Sequence, residues 1–138
     1  MLIVDSGPLV AAASTRDVHH PACAALLRSA AGPIVVPELV VVEVAYILAS
    51  RLGSYAEVAF ARAIANGELE VAAVGDAEWG RIAELVERYE DLGLGITDAS
   101  VIALTERFGA SELATLDHRH FSVVEPRHVR RLTLLPGQ

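Results

Sequence analysis

No lysine occurs among the 138 residues; all eleven basic side chains are arginines. That removes Schiff-base chemistry and phosphate binding by a P-loop lysine. Cysteine is also scarce. Cys23 stands alone, so neither an internal disulfide nor a cysteine-built zinc site can form. It lies in the apolar stretch Pro21 to Leu27, where a small buried hydrophobe belongs. No apolar run is long enough to span a bilayer, and the longest, Leu39 to Ala49, is broken by Glu43. The first residues hold no basic segment and enter a strand at once, so no signal peptide is expected and the chain reads as cytoplasmic. There is no internal repeat, low-complexity segment or linker, and one domain over residues 1–138 is expected. A net charge of −7 excludes sequence-blind nucleic-acid binding through a broadly basic surface. It does not exclude a nuclease, because a carboxylate–metal site needs acids locally and a few arginines can hold phosphates.

What remains is an apolar chain, 53% hydrophobic, punctuated by glycine and proline. Leu2 to Val4 reads as a short buried strand ended by the turn Asp5-Ser6-Gly7-Pro8, with Pro8 opening a helix to Ala13. Ser14 to His20 reads as a loop and Pro21 to Ala31 as a helix stopped by Gly32-Pro33. Ile34 to Val36 is a second strand. Pro37 starts a helix to about Arg51, and Ser54 caps another to Asn66. Leu69 to Val74 is strand-like. Asp76 to Tyr89 is an amphipathic helix that can turn Trp79, Ile82, Ala83, Leu85 and Val86 to one side. After a loop from Glu90 to Gly95, Thr97 is placed to cap a helix from Asp98 to Phe108. Leu113 to Leu116 is a strand, Asp117 to His120 a loop, and Leu132 to Leu135 a last strand. Short apolar strands alternating with helices predict an α/β fold: a three-layer α/β/α sandwich on a mostly parallel sheet.

Four isolated acids stand out against this background. Asp5 ends the first strand, Asp117 ends the run Leu113 to Leu116, and Asp98 opens an apolar helix. Each of these three has an ordinary reading as a turn or helix-end residue. Glu43 does not, because its helical neighbours are Leu39, Val40, Tyr46 and Ile47, which predicts a carboxylate on an apolar surface. Ligands of open α/β sheets bind beyond the carboxyl ends of the strands, and all four acids can reach that rim. Burying an unpaired carboxylate costs several kcal/mol. Convergence on a hard divalent cation makes all four tolerable, and clustered carboxylates should show raised pKa values until it binds. Ser6, Thr97 and Thr115 lie beside these acids and can orient them. Arg16, Arg119 and His120 are candidates for holding substrate. The pairs His19-His20 and His118-x-His120 sit in polar stretches and read as solvated loop residues. Asp91 is a candidate for the site loop.

The opening Leu2-Ile3-Val4-Asp5-Ser6, the segment Pro37 to Val44 with Glu43, the block Tyr89 to Ser100 with Asp98, and Leu116-Asp117-His118-Arg119-His120-Phe121 occur in this order across nearly the whole chain. In this set the chain resembles the PIN-domain ribonucleases, most closely the VapC-type toxins of bacterial and archaeal toxin–antitoxin pairs. The resemblance implies a parallel sheet with flanking helices and a Mg²⁺ or Mn²⁺ site held by Asp5, Glu43, Asp98 and Asp117, with support from Ser6 and Thr115. It implies hydrolysis of RNA phosphodiester bonds to leave a 5′-phosphate, a cognate antitoxin that covers the site, and a homodimer. The alternative of a different class is a non-catalytic PIN-like module that binds RNA or protein. Phosphatases of the haloacid-dehalogenase type and response-regulator receiver domains also place an Asp after a strand, but both depend on a lysine. The former also needs an acid where Gly7 stands.

Overall fold

A computed structural model describes residues 1–137. Among these residues five strands form one parallel sheet: β1 (Leu2–Val4), β2 (Ile34–Pro37), β3 (Glu70–Ala72), β4 (Glu112–Ala114) and β5 (Thr133–Leu135), in the spatial order β3-β2-β1-β4-β5. Between them run α1 (Ser6–Ala13), α2 (His20–Ser29), α3 (Glu38–Arg51), α4 (Ser54–Ala65), α5 (Asp76–Arg88), α6 (Ile96–Phe108) and the single-turn α7 (His118–Phe121). The sheet is wholly parallel, as strands buried on both faces require. Ile3, Val4, Val36, Leu113 and Ala114 are fully buried.

The chain leaves β1 toward β2 and β3, then crosses back to β4 and β5 on the other side of β1. Right-handed crossovers place helices on opposite faces for these two directions, which gives the expected three layers. β1 and β4 are neighbours at the point where the winding reverses. There the connections leaving their carboxyl ends diverge and open a crevice.

Helix α6 is packed on every side. Ala99 through Thr105 are all buried, so it shows no polar stripe. Its hydroxyls are satisfied locally: Ser100 Oγ donates to Thr97 O at 2.6 Å and Thr105 Oγ1 to Ile102 O at 2.7 Å. Gly109 ends the helix at φ 62°, a left-handed conformation open to glycine. A bidentate pair joins α5 to α6, with Arg81 Nε and Nη2 each 2.9 Å from the Glu106 carboxylate.

Several element ends differ from expectation. α6 begins at Ile96 with Gly95 as its cap, so Thr97 lies inside the first turn. α1 begins at Ser6 with Asp5 as cap, two residues before Pro8. Pro37 is the last residue of β2 rather than the first of α3, and Gly53 rather than Ser54 caps α4. Glu90–Leu92 forms a 3₁₀ turn, and His118–Phe121 is helical where a loop is expected. On α5, Ile82 and Leu85 are buried but Trp79 stays 44% exposed, because α6, the helix packed against it, covers only part of the apolar stripe. Cys23 is buried and free, as expected. No helix among the described residues is long and apolar enough to cross a membrane.

Candidate active site

Asp5, Ser6, Gly7, Glu43, Asp98, Leu116 and Asp117 line one open cleft of about 520 Å³ at the carboxyl end of the sheet. The four acids singled out in the sequence therefore converge. They arrive from four elements: the end of β1, the second turn of α3, the first turn of α6, and the cap of α7.

Asp5 is 5% exposed and reaches the cleft because its backbone N–H is tied to Ala114 O of β4 at 2.9 Å. Its Oδ2 accepts from Thr115 Oγ1 at 2.9 Å. Its Oδ1 is buried with no hydrogen-bond partner among the described residues. Burial pushes the Asp5 carboxyl up from 3.8 to about 6, against the Ser6 N–H and the Thr115 hydroxyl, and with help from the charges of Asp98 and Glu43. Asp98 is also raised, first by burial; the His120 ring opposes this, while Asp117 and Glu43 reinforce it. Thr115, fully buried, links two acids: it donates to Asp5, and its Oγ1 accepts the Asp117 N–H at 3.0 Å.

Glu43 sits differently from the expectation. It is exposed, and so are its helix neighbours Val42 (68%) and Tyr46 (76%). Periodicity identifies an apolar side of α3 but not whether another element covers it, and this flank is open to solvent. Thr97 does not line the cleft and does not cap α6. Arg16 and Arg119 are exposed and neither lines the cleft. Asp91 is exposed in the 3₁₀ turn, also outside it. Of the first histidine pair, His19 is exposed while His20 places Nδ1 2.9 Å from Ala11 O.

His120 is tied to the acids of the cleft. It is not a solvated loop side chain: 16% of it is exposed. Asp117 Oδ1 accepts the His120 N–H at 3.0 Å, and His120 Nδ1 lies 2.6 Å from Asp117 Oδ2 and 3.5 Å from Asp98 Oδ2. Burial alone would lower its pKa; the hydrogen bond and charge of Asp117, the Leu92 carbonyl and the Asp98 charge outweigh that and raise it. The signal in the sequence was the three-residue spacing from Asp117, which puts both side chains on one face once Asp117 caps a helix.

Donor chemistry fits a hard divalent cation. The cleft offers carboxylate oxygens from four residues, and one of them, Asp5 Oδ1, is buried without a partner among the described residues. Asp98, Asp117 and His120 hold ligand atoms within 4.8 Å of one another.

Similarity to known proteins follows the same lines. The chain is 36% identical over 135 residues to ribonuclease VapC26 of Mycobacterium tuberculosis, covering 98% of this chain and 100% of that one. Among solved structures it superposes on VapC20 of Mycobacterium tuberculosis, described as a sarcin–ricin-loop-cleaving toxin, with a TM-score of 0.83 at 22% identity over 94% of this chain and 99% of that one. It also superposes on FitAcB of Neisseria gonorrhoeae with a TM-score of 0.71 at 12% identity, over 97% and 96% of the two chains. Likeness to these two structures is one of fold. The PIN-domain family itself matches residues 2–125, a span that takes in every acid of the cleft. By that match and by its full-length likeness to a VapC ribonuclease, the chain belongs to the PIN-domain family and is of the VapC type.

Proposed function

We propose that this chain is a metal-dependent endoribonuclease acting as the toxin of a type II toxin–antitoxin pair, with residues 1–138 as its single PIN domain in the cytoplasm. The observation that carries the reading is Asp5: a carboxylate 5% exposed, with one oxygen unpartnered, in a cleft with three other acids. Such an arrangement is costly without a cation. The relative of 36% identity, covered from end to end, is named a ribonuclease, which supports the same activity here.

In this reading Asp5, Glu43, Asp98 and Asp117 hold Mg²⁺ or Mn²⁺ in the cleft. When bound, the cation supplies Lewis acidity to a phosphodiester and to water. Thr115 holds Asp5 in place through Oδ2, leaving Oδ1 to bind. Ser6, at the start of α1, lines the cleft and can orient substrate or water. Glu43, the exposed acid at the cleft, would take the proton that an attacking water loses. Arg16 and Arg119, both exposed, would meet RNA phosphates from outside the cleft. Exposed Tyr46, Tyr55 and Val58 leave apolar surface for a cognate antitoxin and for a second copy to cover.

The test is cleavage of total and single-stranded RNA by antitoxin-free protein in Mg²⁺, Mn²⁺ or EDTA, with Asp98→Ala in parallel. Cutting that needs the cation and is lost in the folded variant is expected. Equal cutting in EDTA, or full activity of Asp98→Ala, would overturn the assignment.

A further inference from the structure

His120 grips an acid of the cleft without lining the cleft itself. Its ring is held at both ends: Nδ1 lies 2.6 Å from Asp117 Oδ2, and Nε2 lies 3.1 Å from the Leu92 carbonyl oxygen. A carbonyl can only accept, so Nε2 carries a hydrogen. Leu92 closes the 3₁₀ turn between α5 and α6, 28 residues away in the chain. Three residues before it, the Tyr89 hydroxyl accepts the Glu125 N–H at 2.9 Å. The segment around α7 is thus pinned to the 89–92 turn at two points, and Phe121 and Val124 are buried beside those pins. Of the two pins, His120 is the one that touches a carboxylate.

Helix α7 has four residues, too few to hold its own geometry, let alone the rotamer of its cap. We propose that His120 is a positioning residue: by bridging the Leu92 carbonyl to Asp117 it fixes the Asp117 carboxylate opposite Asp98 for a shared divalent cation. This rests on the metal-dependent nuclease reading, which the test below separates from it.

Two effects of the ring have opposite signs. Lying 3.5 Å from Asp98 Oδ2 and 2.6 Å from Asp117 Oδ2, it competes with a cation for both acids, and its removal would tighten metal binding. By orienting Asp117 it favours the cation, and loss of a group that holds a ligand in place typically weakens binding about 10–100-fold. Positioning outweighs competition here, because among the described residues the only other hydrogen bond to the Asp117 carboxylate is one backbone N–H on that same short helix.

The experiment is calorimetric titration with Mn²⁺ alone, beside RNA cleavage, on wild type, His120→Ala, His120→Asn and His120→Gln. His120→Ala is expected to lose about 10–100-fold in Mn²⁺ affinity and to drop in kcat with KM unchanged. His120→Asn, whose amide can donate from the place of Nδ1, restores most of the affinity. His120→Gln, whose amide extends toward Leu92 instead, does not. Thermal melts show which variants are folded; if His120→Ala is not, the Asn and Gln variants carry the comparison. Unchanged or tighter Mn²⁺ binding by His120→Ala would overturn the proposal, as would a raised KM at unchanged affinity, which would make His120 a substrate contact. Absence of Mn²⁺ binding by wild type would overturn both readings. Mn²⁺ binding that depends on His120 in a chain that cuts no RNA would support the positioning role and remove the nuclease reading alone.

Discussion

Replacing Asp5 by asparagine should stabilise the metal-free protein while destroying its site. Burial holds the Asp5 carboxyl at about 6 against 3.8 in the unfolded chain, opposed by Ser6 N–H and Thr115 and reinforced by Asp98 and Glu43. Between these two values the folded protein binds a proton at Asp5 that the unfolded chain has released, so this group makes stability fall as pH rises, and the loss is complete above the folded pKa. A shift of this size corresponds to about 3 kcal/mol at pH 7. Asparagine keeps the shape without the charge. Part of the gain is offset because its amide cannot match both the Thr115 hydroxyl and the unpartnered position of Oδ1. The net expectation at pH 7 in EDTA is a gain of about 1–3 kcal/mol by urea unfolding, shrinking toward zero near pH 4. Mn²⁺ at about 1,000 times Kd reverses the order, since it adds about 4.1 kcal/mol to the protein that binds it. Comparing wild type with variant at each pH isolates Asp5 from the other titrating groups. An Asp5→Asn protein less stable than wild type at pH 7 without metal would show that the ionised carboxylate is at ease where it lies, and the case for a cation there would fall with it.

Thr115→Val removes the donor to Asp5 Oδ2 and strands the Asp117 N–H, so it should cost about 1–3 kcal/mol and drive the Asp5 carboxyl higher still; urea melts and NMR titration of Asp5 would read both, and an unchanged carboxyl titration would refute the link. Glu106→Gln breaks the bidentate pair with Arg81 across α5 and α6, whose side chains are 11% and 12% exposed, and should cost about 1–3 kcal/mol without changing cleavage per folded molecule. A loss of activity larger than the loss of folded protein would show that this pair reaches the site.

Much of this fold was legible in the chain because punctuation is local. Gly109 after Phe108, Gly32-Pro33 after the second helix, and short β-branched runs such as Ile34 to Val36 each fix an element with neighbours a few residues away. Asp5, Asp98 and Asp117 were legible for the same reason, since a parallel sheet sends strand ends and helix starts to one rim, and Glu43, in the second turn of α3, was legible as a lone acid among apolar neighbours. Helix caps were less so: Gly95 and Thr97 can both begin α6, and the choice depends on how the turn packs.

Other features depend on partners far away in sequence. The order β3-β2-β1-β4-β5 sets Asp5 against Thr115, 110 residues away in the chain, and that pairing is visible only in the sheet. Exposure of Glu43 depends on no element covering the apolar flank of α3, a property of the surroundings that periodicity cannot encode. The role of His120 depends on a carbonyl 28 residues earlier and on a one-turn helix too short to announce itself. By itself the sequence determined the elements and the acids they carry, because those follow from local sterics and hydrophobic pattern. Only tertiary structure decided which hydroxyl, ring and carbonyl hold those acids in place, because a hydrogen bond acts over about 3 Å of space whatever the distance along the chain.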